Sequence, residues 1–281
     1  VYMVCMILIT QSLRDIYASQ KQKMDLGNIL KILNTKLGLI DNMKFTKKEL
    51  LIVEICKMLK GLNHVAVGAF SPIPAAACLL SKKLNNGVKN ISILGSENFN
   101  FFTNGGTELF DCAAQGRIDA FFLSGGQIDG KANINLVGLK KNKEFYHRFS
   151  GSYGSAFLYF IVPKIILFRE EHNKNIFVKK VDYVSAPGIN SKKIYRKGKV
   201  YRLITGKGIF NFNYDISKFE LKNLHPGESL SDIKKNTGFP FKIPEIVPFT
   251  EDPTNNQLQI LRNDVTKELK QIYPRFVEEY F

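Results

Sequence analysis

The chain has 281 residues, of which 44% are hydrophobic, enough to bury a full core and typical of a globular α/β protein. Its 40 lysines and arginines outnumber its 25 aspartates and glutamates, giving a net charge of +15. The basic residues are spread along the chain, which indicates lysine-rich solvated faces or a basic cleft that attracts a polyanionic ligand. A nucleic-acid binder is the least favoured interpretation, since no zinc-finger, RNP or helix-turn-helix pattern accompanies the charge.

Residues 1–42 do not fit the pattern of the rest of the chain. They begin with about ten apolar residues, too few to span a bilayer and without the basic start of a signal peptide. We therefore predict no membrane association, with a membrane anchor as the less favoured alternative. The predicted location is cytoplasmic, in keeping with the unpaired cysteines. The sequence predicts one domain at 43–281 after an extension at 1–42 that is either disordered or not native.

Cysteines and histidines give no sign of a metal site. The four cysteines form no CxxC pair and lie in apolar surroundings, which is typical of reduced core residues: Cys5, Cys56, Cys78 and Cys112. The four histidines are too scattered to share a metal: His64, His147, His172 and His225. We therefore expect no metal.

The elements alternate between strands and helices. Residues 46–49 (TKKE) form a capping box that predicts a helix ending at Gly61. His64–Ala69 then predicts a buried strand, and Ser71–Pro74 turns the chain into a helix of small residues. Further strands are predicted at 90–94, 120–123, 164–168 and 181–185, with a hairpin at 200–212 and a last helix within 253–273. This alternation predicts an α/β fold, a mostly parallel doubly wound sheet with helices on both faces.

Two turns rich in small residues flank the most informative stretch, residues 120–155. The strand Ala120–Leu123 ends at Ser124-Gly125-Gly126, and Ser150–Ser155 precedes the apolar run AFLYFIV. Glycine lets the backbone approach a ligand closely, and free N–H groups at the start of a helix can hold an anion or an oxyanion. Gln127 either offers its amide to a ligand or fixes the turn by a hydrogen bond. Asp129 is predicted to hold the following loop.

Three motifs in this half of the chain resemble one family. GGQID at 125–129, followed after four residues by IN, resembles the GGAQID-x-x-GNVN stretch of the β subunit of class I CoA-transferases, of the glutaconate CoA-transferase type. KKVDYVSAPG at 179–188 resembles KIDYVTSPG, and residues 225–239 resemble SPEDVLENTGF. The resemblance covers residues 43–275. It implies the CoA-transferase (NagB-like) fold, coenzyme A as substrate, and an active site shared with a separately encoded α subunit.

The family resemblance also implies a nucleophilic glutamate at the end of the strand at 90–94. Its carboxylate attacks the thioester carbonyl, giving an acyl anhydride and then a glutamyl thioester. Ser96-Glu97-Asn98 matches the family's SEN context, although Phe99 follows where the family has glycine. The glutaconate-type pattern instead puts the glutamate at Leu94 or Gly95. Glu97 is therefore either the nucleophile or a solvent-facing loop carboxylate.

The remaining site residues follow from the same resemblance. Gly125, Gly126 and Gln127 and the second turn are predicted to bind the acyl-CoA thioester; the residues of that turn are Gly151, Ser152, Tyr153, Gly154 and Ser155. Tyr153 replaces a family glycine and would narrow the cleft. Arg148 either contacts a phosphate or carboxylate or belongs to a solvated loop.

The predicted activity is the movement of CoA between an acyl-CoA and a carboxylate. A CoA-thioester hydrolase or ring-opening enzyme lacking the nucleophilic glutamate, and a non-catalytic partner subunit, are the alternatives. Arg169-Glu170-Glu171-His172 suggests either acid–base chemistry or, as the favoured interpretation, surface ion pairing. The acyl group is not specified by the sequence.

Overall fold

A seven-stranded sheet organises the computed structural model, which describes residues 45–191 and 193–281. The predicted extension at 1–42 lies outside the described residues. The strands in chain order are β1 (His64–Val67), β2 (Asn90–Ile93), β3 (Ala120–Leu123), β4 (Gln127–Asp129), β5 (Ile134–Asn135), β6 (Gly138–Lys141), β7 (Glu144–Arg148), β8 (Lys164–Arg169), β9 (Phe177–Val178), β10 (Lys199–Thr205), β11 (Gly208–Asn213) and β12 (Lys218–Leu224).

The central sheet has the order β12-β11-β10-β8-β3-β1-β2. Neighbours from β2 to β10 are parallel, whereas β10, β11 and β12 are antiparallel. Ala120 of β3 pairs with Val65 of β1 on one side and Lys164 of β8 on the other, so these three strands are in register. The predicted mostly parallel sheet is confirmed.

Helices cover both faces of the sheet. They are α1 (Lys47–Met58), α2 (Pro72–Lys83), α3 (Gly105–Ala114), α4 (Ser155–Ile161), α5 (Leu230–Asn236), α6 (Asn255–Ile260), α7 (Thr266–Ile272) and α8 (Pro274–Tyr280), with a π-helical turn at Leu261–Val265. Alternate side chains of β3 point to opposite faces, so Phe122 joins the core beneath α1 and α2 while Phe121 joins the core beneath α3 and α4. In the part of the chain that the structure describes, no helix is long and apolar enough to cross a membrane.

The predicted capping box of α1 is present. Glu49 N–H donates to Thr46 Oγ1 at 3.2 Å, and Thr46 N–H donates to Glu49 Oε2 at 2.7 Å. The same carboxylate is buried against Arg262, whose Nε lies 2.6 Å from Glu49 Oε1. The cap therefore also joins α1 to the C-terminal helices. Cys56 and Cys78 are free and buried, as predicted, and burial raises the pKa of the Cys56 thiol to about 12.

The strand predicted at Val181–Ser185 is wrong. The backbone N–H of Asp182 donates to the Gln127 side chain at 2.9 Å, so it does not join a strand ladder. Only Ala186, just beyond, forms an isolated bridge, with Ile134. A small sheet of β5, β4 and β9 lies here instead, and none of its three strands was predicted. Residues 181–185 therefore form an irregular segment rather than a strand.

Two buried histidines lie beneath the turn between β10 and β11. His172 makes hydrogen bonds of 2.8 and 2.9 Å with the hydroxyls of Thr205 and Thr237. His225 Nε2–H donates to Thr205 O at 2.9 Å, and its Nδ1 lies 3.0 Å from Thr250 Oγ1. Burial lowers the pKa of each imidazole to about 4. Both rings are therefore neutral at neutral pH.

Because these two histidines are buried in the neutral form, we expect the folded state to lose stability in mild acid. Their pKa values are about 4 when folded, below the ordinary value of 6.5, so the unfolded chain binds more protons between these limits. The free energy of unfolding is expected to fall as the pH drops from 6.5 towards 4, by roughly 3 kcal/mol for each histidine at most. Urea unfolding across this range measures it. The exposed His147 supplies the control: His147→Gln keeps the slope, whereas His172→Gln reduces it, and an unchanged slope for His172→Gln would contradict this account.

Candidate active site

A cleft of ≈ 670 Å³ opens where β1, β3 and β8 end. Residues 69–74 after β1, 124–126 after β3 and 168–171 at the end of β8 line it. Because the three strands are parallel neighbours, their carboxyl ends meet at one edge of the sheet, where α/β folds bind ligands. The remaining walls come from several elements and consist of Lys48, Leu136, Phe149, Ser150, Phe276 and Tyr280.

The predicted glycine pair lines this cleft. A Cβ on Gly125 would lie 2.5 Å from Ile134 Cγ2, and one on Gly126 would lie 2.3 Å from the Phe149 ring, so a side chain at either position would require its neighbour to shift. Gly126 N–H already donates to Asn135 O at 2.9 Å. The Gly125 N–H makes no such bond within residues 45–191 and 193–281. Of the two, Gly125 is therefore the candidate oxyanion donor.

Gln127 lies beneath the cleft and does not line it. Its buried Oε1 accepts from Asn135 Nδ2 at 2.8 Å and from Asp182 N–H at 2.9 Å. This is the turn-fixing arrangement, although its amide remains a predicted ligand contact. Asp129 accepts from the backbone N–H groups of Lys131 and Asn133 at 3.0 and 3.1 Å, which confirms that it holds the loop.

The second predicted turn packs mainly against α3. A Cβ on Gly154 would lie 2.1 Å from the Phe110 ring. The Tyr153 ring lies 5.4 Å from the same ring, tilted by 41°, and remains 73% exposed. Ser155 N–H donates to Ser152 O at 2.9 Å. Residues 151–155 do not line the cleft, whereas the preceding Ser150 does.

Glu97 is exposed and does not line the cleft. It follows β2, the edge strand, in a loop closed by a hydrogen bond from Ile93 N–H to Phe99 O at 2.7 Å. Ser96 Oγ accepts from Phe99 N–H at 3.1 Å and so fixes the base of the loop. Glu97 therefore lies at a loop tip, one strand beyond the three strand ends that form the cleft.

Charged residues after β8 line the cleft, although the sequence pattern favoured surface groups. The predicted ion pairing is present: Glu170 pairs with Lys48 of α1, and Arg169 Nε lies 2.8 Å from Glu171 Oε2 in an ion pair without hydrogen-bond geometry. The prediction is wrong for His172, which is buried. Their position directly after a buried strand was the available signal. Among the described residues, no cluster of three or more His, Cys, Asp or Glu could hold a metal.

Phe70, also absent from the predicted site, has a strained backbone. Its φ is 56°, in the left-handed region, and its side chain is 95% exposed at the cleft. Such a conformation costs a bulky residue about 1–2 kcal/mol. Because the ring is exposed, hydrophobic burial does not offset this cost. Strained, exposed residues of this kind concentrate at functional sites.

Replacing Gly126 tests its packing against Phe149. We expect Gly126→Ala to lower the free energy of unfolding by about 1–3 kcal/mol, because the methyl group must displace a ring. Gly68→Ala is the matched control, since a Cβ there would meet its nearest atom, Phe121 Cζ, at 3.9 Å. Urea unfolding measures both; equal stability of the two variants would refute the close packing.

The strain at Phe70 gives a second prediction. Phe70→Gly should raise the free energy of unfolding by about 1 kcal/mol, because glycine adopts a positive φ freely. Phe70→Ala retains the strain and should change it little. Thermal and urea unfolding of the pair provide the comparison, and destabilisation by both would mean that the ring supports the fold.

Several characterised proteins are similar to this chain in sequence. No protein-family model matches the chain. The β subunit of glutaconate CoA-transferase from Acidaminococcus fermentans is 28% identical over 151 residues, covering 51% of this chain and 56% of the relative. The β subunit of 3-oxoadipate CoA-transferase from Pseudomonas knackmussii is 27% identical over 153 residues, covering 52% and 58%. The cholesterol ring-cleaving hydrolase IpdB subunit of Mycobacterium tuberculosis is 30% identical over 95 residues, covering 32% and 38%. The chain thus spans about half the length, or less, of these curated relatives.

Solved structures share the fold over most of the chain. Glutaconate coenzyme A-transferase from Acidaminococcus fermentans has a TM-score of 0.69 at 21% identity, covering 79% of this chain and 95% of that one. The decarboxylase AibA/AibB has a TM-score of 0.66 at 18% identity, covering 84% and 98%. At these identities the structures show the fold, and the transferase β subunits supply the sequence similarity. The chain is therefore similar in sequence to subunits B of class I CoA-transferases over about half of its length, and it shares the fold of the glutaconate enzyme.

Proposed function

We propose that this chain is one subunit of an enzyme that hydrolyses an acyl-CoA substrate, by thioester cleavage or ring opening, without a glutamyl-CoA intermediate. The main support for this proposal is the position of the glutamates relative to the cleft. Glu170 and Glu171 line the cleft beside Gly125, whereas Glu97 is exposed at a loop tip outside it. A general base must lie within reach of the water that attacks the carbonyl carbon, so a carboxylate inside the cleft is the better candidate for this role.

The cleft residues have complementary roles in this mechanism. Glu170, oriented by its ion pair with Lys48, acts as general base and removes a proton from the attacking water. The N–H of Gly125 stabilises the oxyanion that develops on the carbonyl oxygen. Collapse of this oxyanion breaks the C–S bond of the thioester, or the ring C–C bond in ring opening, and Glu170 returns its proton to the leaving sulfur or carbon. Arg169 adds positive charge at the same end of β8 and, through its ion pair, orients Glu171.

A second, α-type subunit completes the proposed enzyme. The relatives AibA/AibB and IpdAB each carry two subunit names, and an open cleft at the sheet edge leaves one side for such a partner. Coenzyme A is the proposed substrate carrier, and the net charge of +15 favours this polyanion. The similarity to the IpdB hydrolase subunit supports hydrolysis.

CoA transfer through Glu97 is the second candidate. Its support is the Ser96-Glu97-Asn98 sequence after β2 and the similarity to two transferase subunits. In this mechanism the exposed loop would present Glu97 to a thioester held partly by the partner subunit. The reaction would then require an acceptor carboxylate, whereas hydrolysis would not.

Substitution of the two glutamates distinguishes these mechanisms. The chain, co-expressed with an α-type subunit, is incubated with a panel of acyl-CoAs, and products are identified by mass spectrometry. For Glu170→Gln we expect kcat to fall by about 100-fold or more. Glu97→Gln and the exposed control Glu245→Gln should retain the rate within about twofold, since neither side chain lines the cleft.

The opposite result is equally specific. Turnover that needs an acceptor carboxylate, with a CoA adduct on Glu97 that disappears in Glu97→Gln, would reject hydrolysis in favour of transfer. Circular dichroism melting of each variant checks that Glu170→Gln remains folded without its ion pair to Lys48.

A further inference from the structure

Aromatic side chains form much of the wall of the cleft. They come from four separate parts of the chain, namely Phe70, Phe149, Phe168 and, on α8, Phe276 and Tyr280. The side chains of Phe70 and Tyr280 remain 95% and 39% exposed. Soluble proteins rarely leave large apolar side chains clustered at the surface unless that surface binds another apolar group. The walls of the cleft therefore favour an apolar ligand.

Several contacts hold these rings in place before any ligand binds. The Phe149 ring packs over Gly126, and the Phe276 ring packs against the core and lies 5.1 Å from the ring of Tyr280. The φ of 56° at Phe70 sets the direction in which its side chain leaves the backbone. Preformed pockets lined by aromatic side chains are typical of sites for small organic ligands. Because a benzene-sized group needs about 150 Å³, the cleft of ≈ 670 Å³ has room for a ring together with the thioester.

The charges at the cleft are already paired within this chain. Among the described residues, Lys48 and Arg169 are the two cations that line it. Lys48 pairs with Glu170, and its Nζ also lies 4.0 Å from the centre of the Tyr280 ring. Arg169 is paired with Glu171. A further carboxylate in the cleft would therefore meet no free positive charge and would be repelled by the two glutamates.

Arg148, predicted to contact a phosphate or carboxylate, does not line the cleft. It ends β7, and its guanidinium carbon lies 3.9 Å from the centre of the Phe145 ring, which also lies outside the cleft wall. Within residues 45–191 and 193–281, the cleft thus combines apolar walls with compensated charges. This combination suits an uncharged apolar group.

We propose that the cleft selects an uncharged apolar acyl group of about the size of a phenyl or cyclohexyl ring, and that it discriminates against acyl groups that carry a second carboxylate. The aromatic walls contact the apolar group, while Gly125 and Glu170 act at the thioester carbonyl. The proposal rests on the proposed hydrolysis of an acyl-CoA, and it adds the class of acyl group that this substrate carries.

Calorimetric titration of the full chain, co-expressed with its α-type subunit, tests this selectivity. The probes are three unreactive CoA analogues in which a methylene group replaces the thioester sulfur, carrying a phenylacetyl, an acetyl or a glutaryl group. Phenylacetyl and glutaryl are of similar size, so their comparison isolates the effect of charge. We expect the phenylacetyl analogue to bind about 30-fold tighter than the acetyl analogue, because its ring is buried against aromatic side chains. The glutaryl analogue should bind no tighter than the acetyl analogue, because its carboxylate finds no free cation.

Phe70→Ala tests the aromatic wall without disturbing the core, because the Phe70 ring is exposed. This variant should lower the ratio of phenylacetyl to acetyl affinity about fivefold, since the ligand loses one ring contact. Phe101→Ala is the matched control. It removes another exposed ring, in the loop after β2, which does not line the cleft, and the affinity ratio should stay at the wild-type value.

Glu171→Gln tests the charge argument by a gain of binding. It leaves Arg169 without its carboxylate, so we expect the glutaryl analogue to bind about fivefold tighter than it binds the wild-type chain. Glu245→Gln removes an equal charge at an exposed position outside the cleft and should leave glutaryl binding unchanged. An unchanged glutaryl affinity in Glu171→Gln would contradict the role assigned to the paired charges.

The outcomes also separate this selectivity from the proposed chemistry, because the analogues bind without reacting. Preferred binding of the phenylacetyl analogue, without hydrolysis of any acyl-CoA, would support the selectivity and reject the chemistry. Hydrolysis by a chain that binds the glutaryl analogue as tightly as the phenylacetyl analogue would reject the selectivity alone. Undetectable binding of all three analogues would also overturn it.

Discussion

Parallel pairing of β1, β3 and β8 is the constraint on which the site depends. These strands are in register, and side chains pack on both of their faces, so neither a shift nor a rotation of one strand is compatible with the core. Their carboxyl ends therefore meet at one edge and bring together Ser71, Gly125 and Glu170, which are far apart in sequence. Gly125 and Gly126 then bring the backbone against Ile134 and Phe149, which closes the floor of the cleft.

The sequence predicted the elements whose signal is local. Buried parallel strands appear as short apolar runs that end at glycine or polar residues, which is why β1, β2, β3 and β8 were found within about two residues. The capping box of α1 was also predicted, because its residues lie within one four-residue motif. The strand predicted at 181–185 failed because its apolar pattern looks the same whether the backbone joins a ladder or bonds to Gln127. Two-residue strands such as β9 are too short to show any periodicity.

The composition of the cleft could be predicted only in part. Gly125 and Gly126 were identified because a glycine pair directly after a strand is itself a signal, and family resemblance reinforced it. Glu170 and its partner Lys48 come from elements more than a hundred residues apart, so their ion pair depends on tertiary packing. Family resemblance indicated Glu97 as the nucleophile. The loop after β2, however, departs from the family pattern at the next position but one, where Phe99 replaces glycine. The choice between Glu97 after β2 and Glu170 after β8 therefore depends on which strand end faces the substrate, and this is set by tertiary structure.

The most direct test of this account is a structure of the chain, together with its α-type partner, in complex with an unreactive acyl-CoA analogue whose sulfur is replaced by a methylene group. Our account predicts the acyl carbonyl beside Gly125 and Glu170. A carbonyl positioned beside Glu97, at the end of β2, would contradict it and would identify the exposed loop as the catalytic element.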